Sequence, residues 1–124
     1  EQQGFRNSYC LPFRVFDHKN DKMLELWELP LNVMDVTLFH YQEYTREQAK
    51  DSILTLMREI KNFKGVFTFL WHNSFFEEDL YPGITAFYSE MMKLIADEDP
   101  ICLLGAELVQ MAEDQADEVF SIEV

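Results

Sequence analysis

The chain has 124 residues, enough for one domain with a real core and too few for two. With 48% hydrophobic and 15% aromatic residues it is not a disordered sequence. Its formal charge of −13, from 10 basic and 23 acidic residues, argues against nucleic acid and anionic membrane partners, because Lys and Arg supply most phosphate affinity, and the acidity reads as a solvated surface that aids solubility.

Gly4-Phe5-Arg6 and the stretch from Leu11 to Asp17 suggest a short strand and a long rim loop, and His18-Lys19-Asn20-Asp21-Lys22 suggests a turn. Cys10 and Cys102 have no motif spacing and are too few for a secreted disulfide scaffold, so both are expected reduced and packed. From Met23 to Asp35 the period near Leu24 and Leu26 is two, which predicts a strand, with Pro30 pointing to an edge or a bulge. Thr45-Arg46-Glu47-Gln48 is a capping box, in which the Thr45 hydroxyl accepts from the Gln48 amide and the Gln48 side chain reaches back. Ala49, Ile53, Leu56, Met57 and Ile60 then recur on one helical face, and the helix should end near Lys61 to Lys64 with Gly65 as its stop.

Gly65-Val66-Phe67-Thr68-Phe69-Leu70-Trp71-His72-Asn73-Ser74 is a nearly unbroken apolar run with a polar tip, the pattern of a strand covered on both faces that delivers His72 to a rim. After the loop at Phe75 to Gly83, Ile84, Phe87, Tyr88, Met91 and Ile95 mark a second amphipathic helix that stops before Pro100. Ile101 to Leu104 suggests a short strand, Ala106 to Ala116 a third helix, and Val119 to Val124 a closing strand. This order argues for an α/β fold of parallel strands alternating with helices, either an open sheet or part of a larger barrel, since a full eightfold barrel needs about 250 residues. No apolar run approaches the roughly 20 residues that span a bilayer, and no secretory leader pattern is seen, so membrane insertion is not expected and a cytoplasmic location is favoured. An opening residue of Glu1 is compatible with a fragment, a processed chain or a trimmed one.

His72 reads either as a proton donor to a leaving group near neutral pH, if a carboxylate orients its ring, or as a satisfied structural histidine at a strand end. Trp71 is either core or a platform for a sugar ring. Asp35 ends the other long apolar run; it would share a rim with His72 if the two strands were parallel neighbours, and otherwise reads as a capping or loop aspartate. Arg6 could reach a carboxylate outside this segment or be a surface arginine, and Asp17, Glu77, Glu78 and Asp79 read as solvated loop acids. His18, His40 and His72 with these acids show no metal-ligand spacing, and no phosphate loop, nucleophile elbow or paired-cysteine motif is present.

Taken together, Gly4-Phe5-Arg6 with Pro12-Phe13, then Leu29-Pro30-Leu31-Asn32-Val33-Met34-Asp35, then Phe69-Leu70-Trp71-His72-Asn73-Ser74, resemble in order and spacing the last three motif regions of the polysaccharide deacetylase family, the NodB-homology fold. The resemblance spans roughly residues 4 to 95, and Leu70-Trp71-His72-Asn73 is its most specific piece. It implies a partial, distorted β/α barrel, with the 124 residues forming a single domain or the C-terminal portion of one that lacks the N-terminal strands. It also implies removal of N- or O-acetyl groups from a carbohydrate polymer with a divalent metal, zinc being the expected ion. By resemblance His72 would be the general acid, Asp35 would hold its imidazole, Arg6 would orient the catalytic aspartate, and Leu70 with Trp71 would wall the pocket for the acetyl methyl group.

The family's paired aspartates and its two metal-binding histidines have no counterpart here, so no metal ligand is expected from these residues and the stretch by itself should be inactive. The expectation is therefore the C-terminal part of a metal-dependent carbohydrate deacetylase. The alternative is a deacetylase-like module that binds carbohydrate or another partner without catalysis, and the third reading is an unrelated small α/β domain. A partial barrel would also expose a strand edge, so the chain is expected to associate with itself or with the N-terminal half of the same barrel.

Overall fold

In a computed structural model that describes Gly4 and residues 8 to 121, the chain folds as three helices and two small sheets of two strands each. Strand β1 (Phe13–Asp17) and strand β2 (Lys22–Glu28) form an antiparallel hairpin, with Phe16 beside Met23 and a bulge between Arg14 and Phe16. The turn is closed by Asp17, whose carboxylate accepts from the amides of Lys19 and Asn20 at 2.9 and 3.2 Å. Such capture of nearby backbone donors is what makes aspartate a turn residue.

The strand expected from Met23 to Asp35 is two strands. Its first half pairs with β1, and after Glu28 the chain breaks at Leu29-Pro30 and resumes as β3 (Val33–Met34). Pro30 has no amide for a ladder, which explains the break. β3 lies parallel to β4 (Phe69–Leu70), with Val33 beside Phe69 and Met34 beside Leu70. On the other side of β3 the amide of Gly4 donates to the Asn32 carbonyl at 3.2 Å.

Helix α1 (Arg46–Asn62) begins with the expected capping box. The Gln48 amide donates to the Thr45 hydroxyl at 3.3 Å, and the Thr45 amide donates to the Gln48 side chain at 2.9 Å. Its apolar stripe of Ala49, Ile53, Leu56, Met57 and Ile60 is buried throughout. Full burial of each large aliphatic side chain contributes about 1.5–3 kcal/mol, so this stripe, not intrinsic propensity, fixes the helix.

The helix stop differs from expectation. Lys64 takes the left-handed conformation, with φ of 52°, and the Lys64 amide bonds to the Lys61 carbonyl while the Gly65 amide bonds to the Ile60 carbonyl at 2.9 Å. These are the two bonds of a Schellman ending with lysine in the position that usually falls to glycine. Gly65 is needed for another reason: a Cβ there would lie 2.4 Å from Sγ of Cys10 and 2.9 Å from its carbonyl oxygen. Cys10 is buried as expected, and burial pushes its thiol above the ordinary range, whereas Cys102 is exposed rather than packed.

Helix α2 (Ile84–Ala96) follows Gly83, whose φ of 79° suits glycine, and buries Ile84, Phe87 and Met91 against α1 and β3 in one core cluster. Residues 101 to 104 are not a strand, and α3 (Gly105–Ser121) occupies the region from Gly105 onward. The closing strand expected over Val119 to Val124 is helical as far as Ser121, and its remainder lies outside the described residues. α3 docks on the hairpin: Nε1 of Trp27 donates to Oε1 of Glu113 at 3.1 Å, and the Arg14 guanidinium sits 5.4 Å from the Trp27 ring centroid. Among the described residues there is no closed barrel, and no helix is long and apolar enough to cross a membrane.

Candidate functional site

The two strands β3 and β4 run in the same direction, so the residues that follow them arrive at one end of the sheet. Asp35 follows β3 directly and is 0% exposed. The chain then turns into a π-helical segment, Thr37–Tyr41, a geometry found often at functional sites. His72 ends the apolar run and precedes the 3₁₀ turn Asn73–Phe76, with extended backbone angles of φ −78° and ψ 138°.

Three donors converge on the Asp35 carboxylate. Oδ2 accepts from the His72 amide at 2.5 Å, and Oδ1 accepts from the Val36 amide at 2.7 Å and meets Nδ1 of His72 at 2.6 Å. A buried carboxylate without donors is costly, and here main chain and imidazole together satisfy it. The tautomer that completes this bond to a carboxylate carries its proton on Nδ1 and its lone pair on Nε2. The His72 side chain is 42% exposed.

The alternating faces of the run around β4 separate the remaining candidates. Phe67, Phe69 and Trp71 form a stacked row, with centroids 6.4 and 5.5 Å apart, and Trp71 lies 5.3 Å from Tyr88 and 6.1 Å from Phe87 of α2. Trp71 is therefore packed among core aromatics, and its Nε1 is buried without a partner among the described residues. Leu70, on the opposite face, is 41% exposed, whereas Val66 and Thr68 on that same face are half-buried. Phe75 is buried and stacked on Tyr81 at 4.5 Å, which leaves Phe76 as the exposed aromatic ring of this rim. Arg6 lies outside the described residues.

Neither of two surface grooves touches the pair. One of about 370 Å³ lies between Gly4 and the Asp51, Ser52 and Glu59 side of α1, and one of about 200 Å³ lies between α1 and α2; neither is lined by Asp35 or His72. Of the pair, Asp35 is fully buried and the His72 side chain is 42% exposed. Among the described residues no cluster of three His, Cys, Asp or Glu side chains could hold a metal ion, and both Asp35 oxygens are already occupied by donors.

Sequence patterning gives no role to Thr68, yet a lone hydroxyl inside an apolar run is a signal. Thr68 is bonded to Asn32, the residue before β3, through both side chains and both backbones. Comparison of the chain with protein-family models, with curated proteins and with solved structures finds no match.

Proposed function

We propose that this chain carries the acid side of a carbohydrate deacetylase site, in a partial β/α barrel of which β3, β4 and the helices α1 and α2 are one part. The observation that supports this reading is the buried Asp35 paired with a half-exposed His72 at adjacent ends of two parallel strands. Once the oxygen of a water molecule has bonded to the acetyl carbon and lost its proton to a base, Nε2 of the imidazolium form gives its proton to the nitrogen or oxygen leaving that carbon as the carbon–heteroatom bond breaks; acetate and a free amine or alcohol result. Asp35 holds the ring so that this proton is aimed from one fixed atom. Leu70, exposed two residues before His72, is the apolar surface available for an acetyl methyl group, while Trp71 shapes that wall from behind.

The metal and the base that such a hydrolysis requires have to come from residues other than those described, and no step is assigned to them. The experiment is acetate release from N-acetylglucosamine oligomers and acetylated xylo-oligosaccharides by the full-length protein with added zinc. The expected outcome is turnover that His72→Ala lowers by about a hundredfold or more, the usual contribution of a general acid. A fully active His72→Ala protein overturns the reading. Glycan binding without acetate release would instead favour a binding module, for which Phe76 and Leu70 are the exposed apolar surface.

A further inference from the structure

The ladder between β3 and β4 is two residues long on each strand. So short a ladder specifies its register weakly, and a slip of one residue moves every side chain to the other face and by about 3.3 Å along the strand. The contact between Nδ1 of His72 and Oδ1 of Asp35, at 2.6 Å, survives only displacements of a few tenths of an ångström. Something beyond the ladder must hold the two strands in step.

Directly before the ladder lies a clasp. The Thr68 amide donates to Oδ1 of Asn32 at 2.8 Å, and the Thr68 carbonyl accepts from the amides of Asn32 and Val33 at 3.2 Å each. The Asn32 amide is shared with the Thr68 hydroxyl oxygen at 3.0 Å. The single proton of that hydroxyl lies between Oδ1 of Asn32, at 3.0 Å, and the carbonyl of Pro30. Asn32 is 2% exposed, so these bonds are made away from water, where leaving one unmade costs most. Asp35 is three residues beyond Asn32, and His72 four beyond Thr68.

We infer that Asn32 and Thr68 are positioning residues: their clasp sets the register of β3 on β4 and so places the imidazole of His72 on the carboxylate of Asp35. They act through the backbone, across two strand residues, without bonding to the pair themselves. The inference rests on this geometry and not on the deacetylase reading, and its test uses no substrate, so either can fail alone.

The test is NMR of the 124-residue chain, reading the His72 ring Nδ1 proton and the hydrogen exchange of the His72 amide. Thr68→Val, which exchanges the hydroxyl for a methyl group, should keep the helical signal in circular dichroism yet lose the ring-proton resonance and lower His72 amide protection by about three- to tenfold, the worth of one buried hydrogen bond. Thr68→Ser, which keeps the hydroxyl, should restore both. Ile53→Val, a core deletion in α1, should leave the ring proton in place, which separates positioning from general loss of stability. A folded Thr68→Val protein with both signals unchanged overturns the inference, as does loss of the ring-proton resonance in Ile53→Val. Should Thr68→Val not fold, exchange in the unaltered protein decides: the amides of Thr68, Val33 and His72 open as one unit, with protection equal within about threefold, and a wider spread overturns the inference.

Discussion

Asp35, fully buried, holds three donors, and this makes it a larger contributor to the fold than the histidine it orients. Asp35→Asn leaves a single acceptor oxygen and turns an amide group toward donors, so it should lower unfolding stability by about 2–4 kcal/mol. His72→Ala removes one donor of the three and a ring that is 42% exposed, and should cost less, about 1 kcal/mol. Urea unfolding of the two variants gives the order, and a larger loss for His72→Ala would contradict this account. Both residues are legible in sequence because each ends an apolar run with a polar group. Trp71 packs as core, the first of its two sequence readings, although period-two alternation by itself assigns it to a face without saying which face a helix covers.

The helices follow from local chemistry, and their ends carry the tests. Lys64 holds a left-handed conformation that costs a side-chain-bearing residue about 1 kcal/mol, so Lys64→Gly should raise stability by roughly that amount in a denaturant titration. At the start of α2, Glu78 is held below the ordinary glutamate range by the Thr85 side chain first and by the amides of Gly83 and Thr85. A carboxylate depressed in the folded state stabilises it above the unfolded value and ceases to do so as pH falls through the folded one. The melting-temperature gap between the unaltered protein and Glu78→Gln should therefore be full near neutrality and close below the ordinary value of 4.5. The capping box and stripe of α1 are readable because both are set within one segment. The strands are shorter than the apolar pattern implies, because strand length depends on what lies alongside each segment.

At the scale of the whole molecule, β3 and β4 form, among the described residues, a parallel sheet of two strands with Leu70 exposed, whereas parallel sheets are ordinarily covered on both faces. We propose that the chain associates with further copies of itself through the face of this sheet that presents Leu70. Its charge of −13 opposes contact between copies, and raising salt shortens the screening length from about 10 Å at 0.1 M to about 3 Å at 1 M. Light scattering should thus show association that grows with protein concentration and with salt; a monodisperse monomer at high salt would refute it. Which partner completes the sheet was not legible, because a sequence records an apolar face and not its occupant.

The bond from Trp27 to Glu113 ties the hairpin to α3, while the chain's other tryptophan, Trp71, sits in the aromatic layer behind the rim. The protein thus carries two intrinsic fluorophores in two different environments. Trp27→Phe leaves an emission signal from the aromatic layer alone, and Trp71→Phe one from the joint between hairpin and α3. Departure of α3 and opening of the rim can then be watched as separate optical events in one unlabelled chain.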